Sequence, residues 1–317
     1  MRSLGSLAGA LLLALLGYAG VFTFVVEKPL TIGFIQRAFE LKEAYARAHA
    51  SPKLLIVAGS NGLYSHRCEV MEPIIGMACV NASITAELQI GYILEFARRL
   101  ARPGDVVLMP LEYGLYDVTS NDIREGLLHP YRLTYDRATL LRFPPDEIAE
   151  ALFQFDLPYL AGALAEMTLE AAGVRRGLNV GVMTPQGDLR DQTEDKARLY
   201  RATILREEFR LKPASQFRVS DAVRSELGAF LDWAKRNRIR VIGTLPTTFD
   251  DRRVEDEIVA RIAAVYREHG QEFVMLPNRS QYPRTCFFNT QNHLVERCQI
   301  AHSEALAHLL APRLARP

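Results

Sequence analysis

Short apolar segments that alternate with helical patterns constrain the fold of this chain more than any other feature. Six segments are predicted as strands: Lys53–Ala58, Ala78–Asn81, Asp105–Met109, Leu178–Met183, Ile239–Leu245 and Phe273–Leu276. Helical patterns lie between most of them, and the clearest strands are apolar throughout. Continuously apolar strands are typical of a parallel sheet that helices cover on both faces. The sequence therefore predicts an α/β fold, a three-layer sandwich with a mainly parallel sheet.

The residue composition is that of a folded globular protein. The chain has 317 residues, of which 49% are hydrophobic and 24% charged, a balance that disordered chains do not have. Its 38 Lys and Arg against 37 Asp and Glu give a net charge of +1, which argues against a nucleic-acid-binding protein. Between about 119 and 175, helical patterns alternate with prolines, and this region is predicted to be a helical insertion in the domain.

An uncharged segment at the N-terminus predicts a membrane anchor. Leu4–Val26 contains 23 residues without a charge, and such a helix is long enough to cross a hydrocarbon core of about 30 Å. The alternative is a cleaved signal peptide with a small-x-small site at Gly17–Ala19, although the apolar region of such peptides normally has only about 7–15 residues. With Arg2 in front of the span, the positive-inside rule predicts a cytoplasmic N-terminus. The predicted organisation is a tip and anchor over residues 1–28 and a periplasmic domain over residues 29–317.

The four cysteines fit an exported domain. Cys68 and Cys79 are eleven residues apart, and Cys286 and Cys298 are twelve apart. An even number of cysteines in an exported chain suggests two disulfides, and local pairing is the simplest of the three possible connectivities. Four buried free thiols are the alternative. The sequence has no C-x-x-C motif, so neither a zinc site nor a thioredoxin-like site is indicated.

The turn after the first predicted strand is a candidate site for chemistry. Ligands of parallel sheets bind beyond the carboxyl ends of the strands, where the chain reads Ala-Gly-Ser-Asn-Gly. Gly59 and Gly62 permit a sharp turn that exposes the hydroxyl of Ser60 beside backbone N–H groups suited to an oxyanion. An ordinary strand-to-helix turn is the alternative. The turn matches neither the G-x-S-x-G elbow of α/β-hydrolases nor the glycine-rich motifs of nucleotide-binding proteins.

A histidine near the C-terminus is the candidate partner of this serine. His293 precedes the last predicted helix, and Asn289 lies four residues before it. A serine nucleophile needs a base to take its proton, and the base needs a partner that fixes its tautomer. Ser60, His293 and Asn289 are predicted to fill these roles, although a single histidine is more often a surface or core residue.

Several sequence blocks, found in a fixed order, carry a resemblance to a known family. They are Leu55–Tyr64, Val80–Ser83, Pro103–Leu108 with Leu111–Tyr113, and Phe287–Leu294. Together they resemble the SGNH/GDSL hydrolase-like superfamily, and within it the membrane-anchored group of the D-alanyl-lipoteichoic-acid and polysaccharide O-acetylation proteins. The resemblance implies a serine esterase or O-acyltransferase that acts on acyl (acetyl) esters of a cell-envelope glycan. It further implies a membrane-bound O-acyltransferase as a partner, and neither a metal nor an organic cofactor.

Three positions depart from the superfamily pattern. Asn289 stands where the superfamily has an aspartate, and a neutral amide cannot stabilise an imidazolium by charge; in serine proteases that exchange lowers turnover about 10⁴-fold. Ser83 replaces a glycine, and its N–H, with those around Ser60 and Asn61, is predicted to hold the oxyanion. Glu112 replaces an asparagine, and its carboxylate would repel the oxyanion. The alternative function is therefore a non-catalytic scaffold or glycan-binding partner with this fold, and a third is a soluble secreted esterase.

Overall fold

The computed structural model describes residues 2–21, 30–119, 128–141, 145–153, 157–174 and 180–315. The strands in these ranges are β1 (Leu54–Ile56), β2 (Cys79–Asn81), β3 (Val106–Met109), β4 (Arg240–Gly243), β5 (Thr248–Phe249), β6 (Glu272–Phe273) and β7 (Gln281–Tyr282). Five of them form one parallel sheet in the order β2-β1-β3-β4-β6. β5 and β7 form a separate parallel pair. The predicted α/β fold with a mainly parallel sheet is confirmed.

Five of the six predicted strands are present, and each is shorter than its apolar run. The sixth predicted strand, at 178–183, is wrong for residues 180–183, the part of it that the structure describes. Val180–Val182 form a 3₁₀ turn there, and Met183 makes only one isolated antiparallel bridge. Thr184 N donates to Asp188 O at 2.9 Å. This turn reverses the chain directly after Met183, and Met183 pairs with Leu189 and not with a strand of the sheet.

Helices connect the strands and flank the sheet. They are α1 (Arg2–Val21), α2 (Leu30–Ala48), α3 (Ser60–Ser65), α4 (Cys68–Ile75), α5 (Gln89–Leu100), α6 (Tyr113–Tyr116), α7 (Leu128–Tyr135), α8 (Arg137–Leu140), α9 (Pro145–Phe153), α10 (Leu157–Ala171), α11 (Glu194–Arg206), α12 (Asp221–Arg236), α13 (Asp256–Glu268) and α14 (Glu296–Leu314). A 3₁₀ turn at Ala86–Leu88 precedes α5, and another at Arg284–Cys286 precedes the loop that carries His293. The sequence predicts helices over Leu30–Ala48, about Ser220–Asn237 and about Val254–His269, and α2, α12 and α13 lie within two residues of these bounds at each end.

One face of the sheet packs against α4 and α14. The buried side chains on this face are Leu54, Ile56, Val106, Leu108 and Ile242 from the strands, with Cys68, Met71, Leu306 and Leu310 from the helices. Alternate residues of a strand point to opposite faces. On the opposite side, α12 and α13 contact β4, and α5 contacts α12. Helices therefore cover both faces of the sheet, which explains why β1 and β3 are apolar at every position.

The chain divides into two compact units. One consists of residues 1–37 and 127–179 and contains α1 with the helices α7 to α10. The other consists of residues 38–126 and 180–317 and contains every described strand. The region predicted as a helical insertion, about 119–175, thus supplies α7 to α10 to the first unit. All residues of the candidate site belong to the second unit.

The N-terminal helix α1 is apolar and exposed. Leu7 and Leu13, for example, are each 71% exposed. Among the residues that the structure describes, no helix is long and apolar enough to cross a membrane. The predicted span continues to Val26, and its last five residues, like the predicted boundary at residue 28, lie outside the described residues.

Both disulfides have the local pairing that the sequence predicts. Cys68 at the start of α4 is joined to Cys79 at the start of β2, with their Cα atoms 5.1 Å apart. Cys286 is joined to Cys298 on α14, with their Cα atoms 5.6 Å apart. The second disulfide ties both ends of the segment that carries His293, so this segment cannot move far from α14.

Candidate functional site

Ser60 lies at the carboxyl edge of the sheet, as predicted. It is the first residue of α3, which begins shortly after β1 ends. Glu112 follows β3, the neighbour of β1, at the start of α6. In this strand order the connections leave β1 and β3 in opposite directions, and ligands of such sheets bind in the crevice between two strands of this kind. The fold therefore brings Ser60 and Glu112 together at the position where a ligand site is expected.

The carboxylate of Glu112 is hydrogen-bonded to the backbone N–H groups on either side of Ser60. It accepts hydrogen bonds from Gly59 N at 3.0 Å and from Asn61 N at 2.7 Å. Glu112 is 5% exposed. Burial raises the pKa of its carboxyl group, while the bonds from Asn61 N and Gly59 N act in the opposite direction. The N–H of Asn61, predicted to face an oxyanion, donates to Glu112 in this structure.

Gly59 is required for this arrangement. A Cβ atom at this position would lie 2.5 Å from Ala86 N and 2.6 Å from Glu112 Oε1. Both distances are shorter than any ordinary contact of a methyl group, and one of the two atoms, Ala86 N, belongs to the main chain. Only glycine lets the turn after β1 approach Glu112 closely enough for the two hydrogen bonds to form.

Ser83, the third predicted oxyanion residue, is turned into the protein. It is fully buried, its N donates to Asn81 Oδ1 at 3.2 Å, and its Oγ donates to Ile56 O at 3.0 Å. A Cβ on Gly62 would lie 2.1 Å from Ser83 Oγ, so the two residues are in close contact. Ser83 thus packs the end of β1 against α3 and does not line the cavity beside Ser60.

His293 and Asn289 form the predicted hydrogen-bonded pair. His293 Nδ1 lies 2.6 Å from Asn289 Oδ1. An amide oxygen only accepts, so Nδ1 carries the ring proton and Nε2 presents a lone pair. The imidazole stacks on Tyr64, with ring centroids 3.9 Å apart and planes 8° from parallel. Burial lowers the pKa of His293 to about 3, so the ring is neutral at physiological pH.

Ser60 and His293, its predicted base, are not hydrogen-bonded to each other in this structure. Both residues are described, and no hydrogen bond joins Ser60 Oγ to the imidazole. Tyr64, on which the imidazole stacks, follows Ser60 by four residues, which is about 6 Å along a helix axis. The ring of His293 therefore packs against the side of α3 that carries Ser60, about one turn further along that helix.

A buried network that the sequence did not reveal holds the His293 loop against α3. Asn61 Nδ2 and Ser65 Oγ both donate to Asn292 O, at 3.0 and 2.9 Å. Thr247 joins them, with its Oγ1 2.8 Å from Asn61 Nδ2 and 2.7 Å from Ser65 Oγ. The network fixes the loop beside Ser60 through a main-chain oxygen, and no residue type in the loop could have indicated that contact.

A cavity of about 410 Å³ opens beside Ser60. Its polar lining residues include Ser60, Glu87, Gln89, Glu112, Arg210, Thr248, Gln291 and Asn292, and its apolar ones include Ala86, Leu115, Val118 and Leu211. Within the described residues, Ser60 Oγ and the side-chain amide of Asn292 have no hydrogen-bond partner. Gln291 Oε1 accepts from Arg210 N at 3.1 Å, which leaves its Nε2 for other partners. The cavity therefore offers unpaired donors and acceptors to a ligand.

Comparison with known proteins leaves the family open. The chain matches none of the family models, none of the curated proteins and none of the solved structures with which it was compared. In the part of the chain that the structure describes, no three His, Cys, Asp or Glu side chains are grouped to hold a metal ion. The resemblance to SGNH/GDSL hydrolase-like proteins remains a prediction from the sequence.

Proposed function

We propose that this chain is a non-catalytic, SGNH-like glycan-recognition module, in which Glu112 closes the serine site and the adjoining cavity binds a sugar. One observation carries the proposal: the Glu112 carboxylate accepts hydrogen bonds from both N–H groups that flank Ser60. Serine acyl chemistry places negative charge on an oxygen held by such N–H groups. A carboxylate already bound there blocks that position and repels the developing charge.

The base is also weaker than serine chemistry requires. After taking the serine proton, His293 would be a half-buried cation, and the amide of Asn289 offers it no compensating charge. Burial favours the neutral form of the imidazole and lowers the pKa of His293 to about 3. Both features oppose transfer of a proton from Ser60, and both are compatible with a role in binding.

The lining of the cavity supports a sugar as the ligand. Amide side chains such as Gln291 and Asn292 carry a donor and an acceptor on one group, a combination that matches neighbouring hydroxyl groups of a sugar. The apolar lining residues, which include Leu115, Val118 and Leu211, are suited to an acyl group such as acetyl. We therefore expect an acetylated cell-envelope glycan, and a membrane-bound O-acyltransferase as the partner that acts on it.

The proposed location is the periplasmic face of a bacterial inner membrane, with the N-terminus in the cytoplasm. The uncharged segment Leu4–Val26 supports a single-pass anchor. Two disulfides support an oxidising compartment for the domain, because such bonds are rare in the cytosol.

A serine esterase or O-acyltransferase is the second candidate, and the geometry of the His293–Asn289 pair favours it. With its proton on Nδ1, His293 can accept a proton on Nε2. Ser60 Oγ would attack the ester carbonyl, His293 would take the hydroxyl proton and return it to the leaving alcohol, and the acyl group would pass from Ser60 to a glycan hydroxyl or water. This route requires Glu112 to leave the N–H groups and His293 to approach Ser60.

Fluorophosphonate labelling and glycan binding together separate the two candidates. We expect the full-length chain not to be labelled at Ser60, but to bind at least one of a set of acetylated oligosaccharides with glucan, mannan or uronan backbones. A Gln291→Ala variant should weaken that binding, measured by saturation-transfer NMR. Labelling that disappears in Ser60→Ala would instead establish the enzyme. A folded chain that is neither labelled nor able to bind any of the oligosaccharides would exclude both candidates.

A further inference from the structure

A second cavity, of about 620 Å³, adjoins the loop that carries His293. The first two residues of the segment Asn289–Asn292 line this second cavity, and the last two line the cavity beside Ser60. Arg210 belongs to the walls of both cavities. The two cavities therefore adjoin each other along this segment of the loop.

The side-chain amide of Asn289 has an unused donor. Its Oδ1 accepts from His293 Nδ1 at 2.6 Å, and among the described residues its Nδ2 donates to none. Asn289 is half-buried and lies on the wall of the second cavity. An aspartate could hold the imidazole through a carboxylate oxygen, but it would have no N–H to offer a ligand. The residue that departs from the superfamily pattern thus adds a donor to this cavity.

Glu207, on the wall of the same cavity, has an unused acceptor. Its side chain is 9% exposed, and its Oε1 lies 3.6 Å from Arg210 Nη2. Its Oε2 is buried and has no hydrogen-bond partner. A buried oxygen without a donor is unfavourable, and a donor supplied by a ligand removes that cost. The wall therefore lacks one partner for a donor and one for an acceptor.

Hydroxyl groups match both requirements. A hydroxyl can accept from Asn289 Nδ2, and a neighbouring hydroxyl can donate to Glu207 Oε2. The charged side chains of this wall are Arg206, Glu207, Glu208 and Arg210, and their formal charges cancel, so the wall favours neither an anion nor a cation. The ligand class indicated is a neutral group with several hydroxyls, such as a sugar unit.

We propose that the second cavity is a subsite for a further sugar unit, so that the chain binds an oligosaccharide across Asn289–Asn292 and not a single sugar. Asn289 Nδ2 donates to one hydroxyl of this unit, and Glu207 Oε2 accepts from another. Asn289 and Asn292 are three residues apart, so their Cα atoms are separated by at most about 11 Å, which a few linked sugar units can span. The inference rests on the proposed glycan-binding function and adds to it the length of the ligand.

The test compares an acetylated monosaccharide with the acetylated trisaccharide of the same backbone, glucan, mannan or uronan, on the full-length chain. The measured quantity is the ratio of the two Kd values. In the wild type the trisaccharide should bind about tenfold more tightly, as expected for one or two added hydrogen bonds. In Asn289→Asp an acceptor replaces the donor at nearly the same shape, so this ratio should fall to nearly one.

Asn292→Asp is the matched control, since it makes the same change in the same loop. The side chain of Asn292 lines the cavity beside Ser60, whose sugar unit both probes share. This variant should weaken both probes by a similar factor, so the ratio of Kd values should stay near ten. The NMR signal of the His293 Nδ1 proton should persist in Asn289→Asp, because aspartate also accepts from that nitrogen.

Three results would overturn the inference. If the wild type binds the two probes equally, the second cavity holds water and no sugar, while the proposed function stands. If Asn289→Asp keeps the tenfold ratio, the amide is not the contact. If the ratio and the Nδ1 proton signal of His293 are lost together, Asn289 acts by holding the loop and not by binding the ligand. If the wild type binds neither probe of any backbone, the proposed function fails as well.

Discussion

Glu112 carries a buried carboxyl group whose hydrogen bonds from Gly59 and Asn61 are its main compensation for the loss of water. Burying a carboxylate without a paired cation is costly, and the group responds by favouring its neutral form. Burial accordingly raises the pKa of Glu112, and no basic side chain of the described chain opposes this shift. A neutral residue would avoid that cost, so the carboxylate is expected to have a role at this position.

Removing the Glu112 side chain should free the N–H groups of Gly59 and Asn61. In Glu112→Ala, water or an oxyanion can bind there, so we expect fluorophosphonate to label Ser60 measurably when the wild type is not labelled. The free energy of unfolding should fall by about 1–3 kcal/mol, because two buried donors lose their acceptor. Mass spectrometry of the labelled peptide and urea unfolding provide the two measurements.

The double variant Ser60→Ala/Glu112→Ala is the control for that labelling, since it opens the site without the nucleophile. Labelling that persists in the double variant would show reaction at another residue. A folded Glu112→Ala that remains unlabelled would show that occupation of the N–H groups is not what keeps Ser60 inert.

At the scale of the strands and helices, a buried ion pair fixes the start of β1 against the start of β3. Lys53 Nζ and Asp105 Oδ2 are 2.7 Å apart, and both side chains are 0% exposed. Asp105 also accepts from Lys53 N at 3.1 Å and from Arg102 N at 2.8 Å. The carboxylate therefore satisfies three donors, and removal of its charge would leave an uncompensated lysine inside the protein.

We expect Asp105→Asn to lower the free energy of unfolding by about 3–5 kcal/mol, the usual cost of breaking a buried pair by removing one partner. The matched control is Glu272→Gln, which breaks the pair between Glu272 on β6 and Arg240 on β4, at 46% and 40% exposure. An exposed pair contributes about 0–1 kcal/mol. Urea unfolding of both variants checks the difference, and equal losses would contradict the assignment of the Lys53–Asp105 pair.

The strands and helices were largely predictable, because their signals are local. Continuous apolar runs locate β1 and β3, and amphipathic periodicity locates α2, α12 and α13. The prediction fails at 178–183, where an apolar run lies beside a turn that reverses the chain. Period and composition cannot show whether such a run has a neighbouring strand to pair with.

The candidate site was predictable only in part. Ser60, His293 and Asn289 could be found because each lies in a short recognisable sequence pattern. The contact of Glu112 with Gly59 and Asn61 depends on β1 and β3 being neighbours, which no local signal shows.

At the scale of the whole unit, the buried His66 and His302 and the half-buried His293 make stability depend on pH. His66 Nε2 lies 3.3 Å from His302 Nε2, and His302 Nδ1 lies 2.9 Å from the hydroxyl of Tyr282. These contacts join the end of α3 to α14 and to β7, three parts of the chain that are distant in sequence. Burial lowers the pKa of His66 to about 4, that of His293 to about 3, and that of His302 well below its ordinary value.

The protein should therefore lose stability in acid well above the range in which carboxylates titrate. As pH falls below the ordinary histidine pKa of about 6.5, the unfolded chain takes up protons that the folded chain does not bind, so the unfolded state gains stability. Each histidine that stays neutral in the folded protein then makes the free energy of unfolding fall by about 1.4 kcal/mol per pH unit. For His66 this fall ends only below its folded pKa of about 4. Urea unfolding at pH 7, 6 and 5 measures the slope for the wild type and for His66→Gln. The variant should have a slope smaller by about one proton between pH 6 and pH 5, and equal slopes would mean that His66 is already protonated, or exposed, in the folded protein.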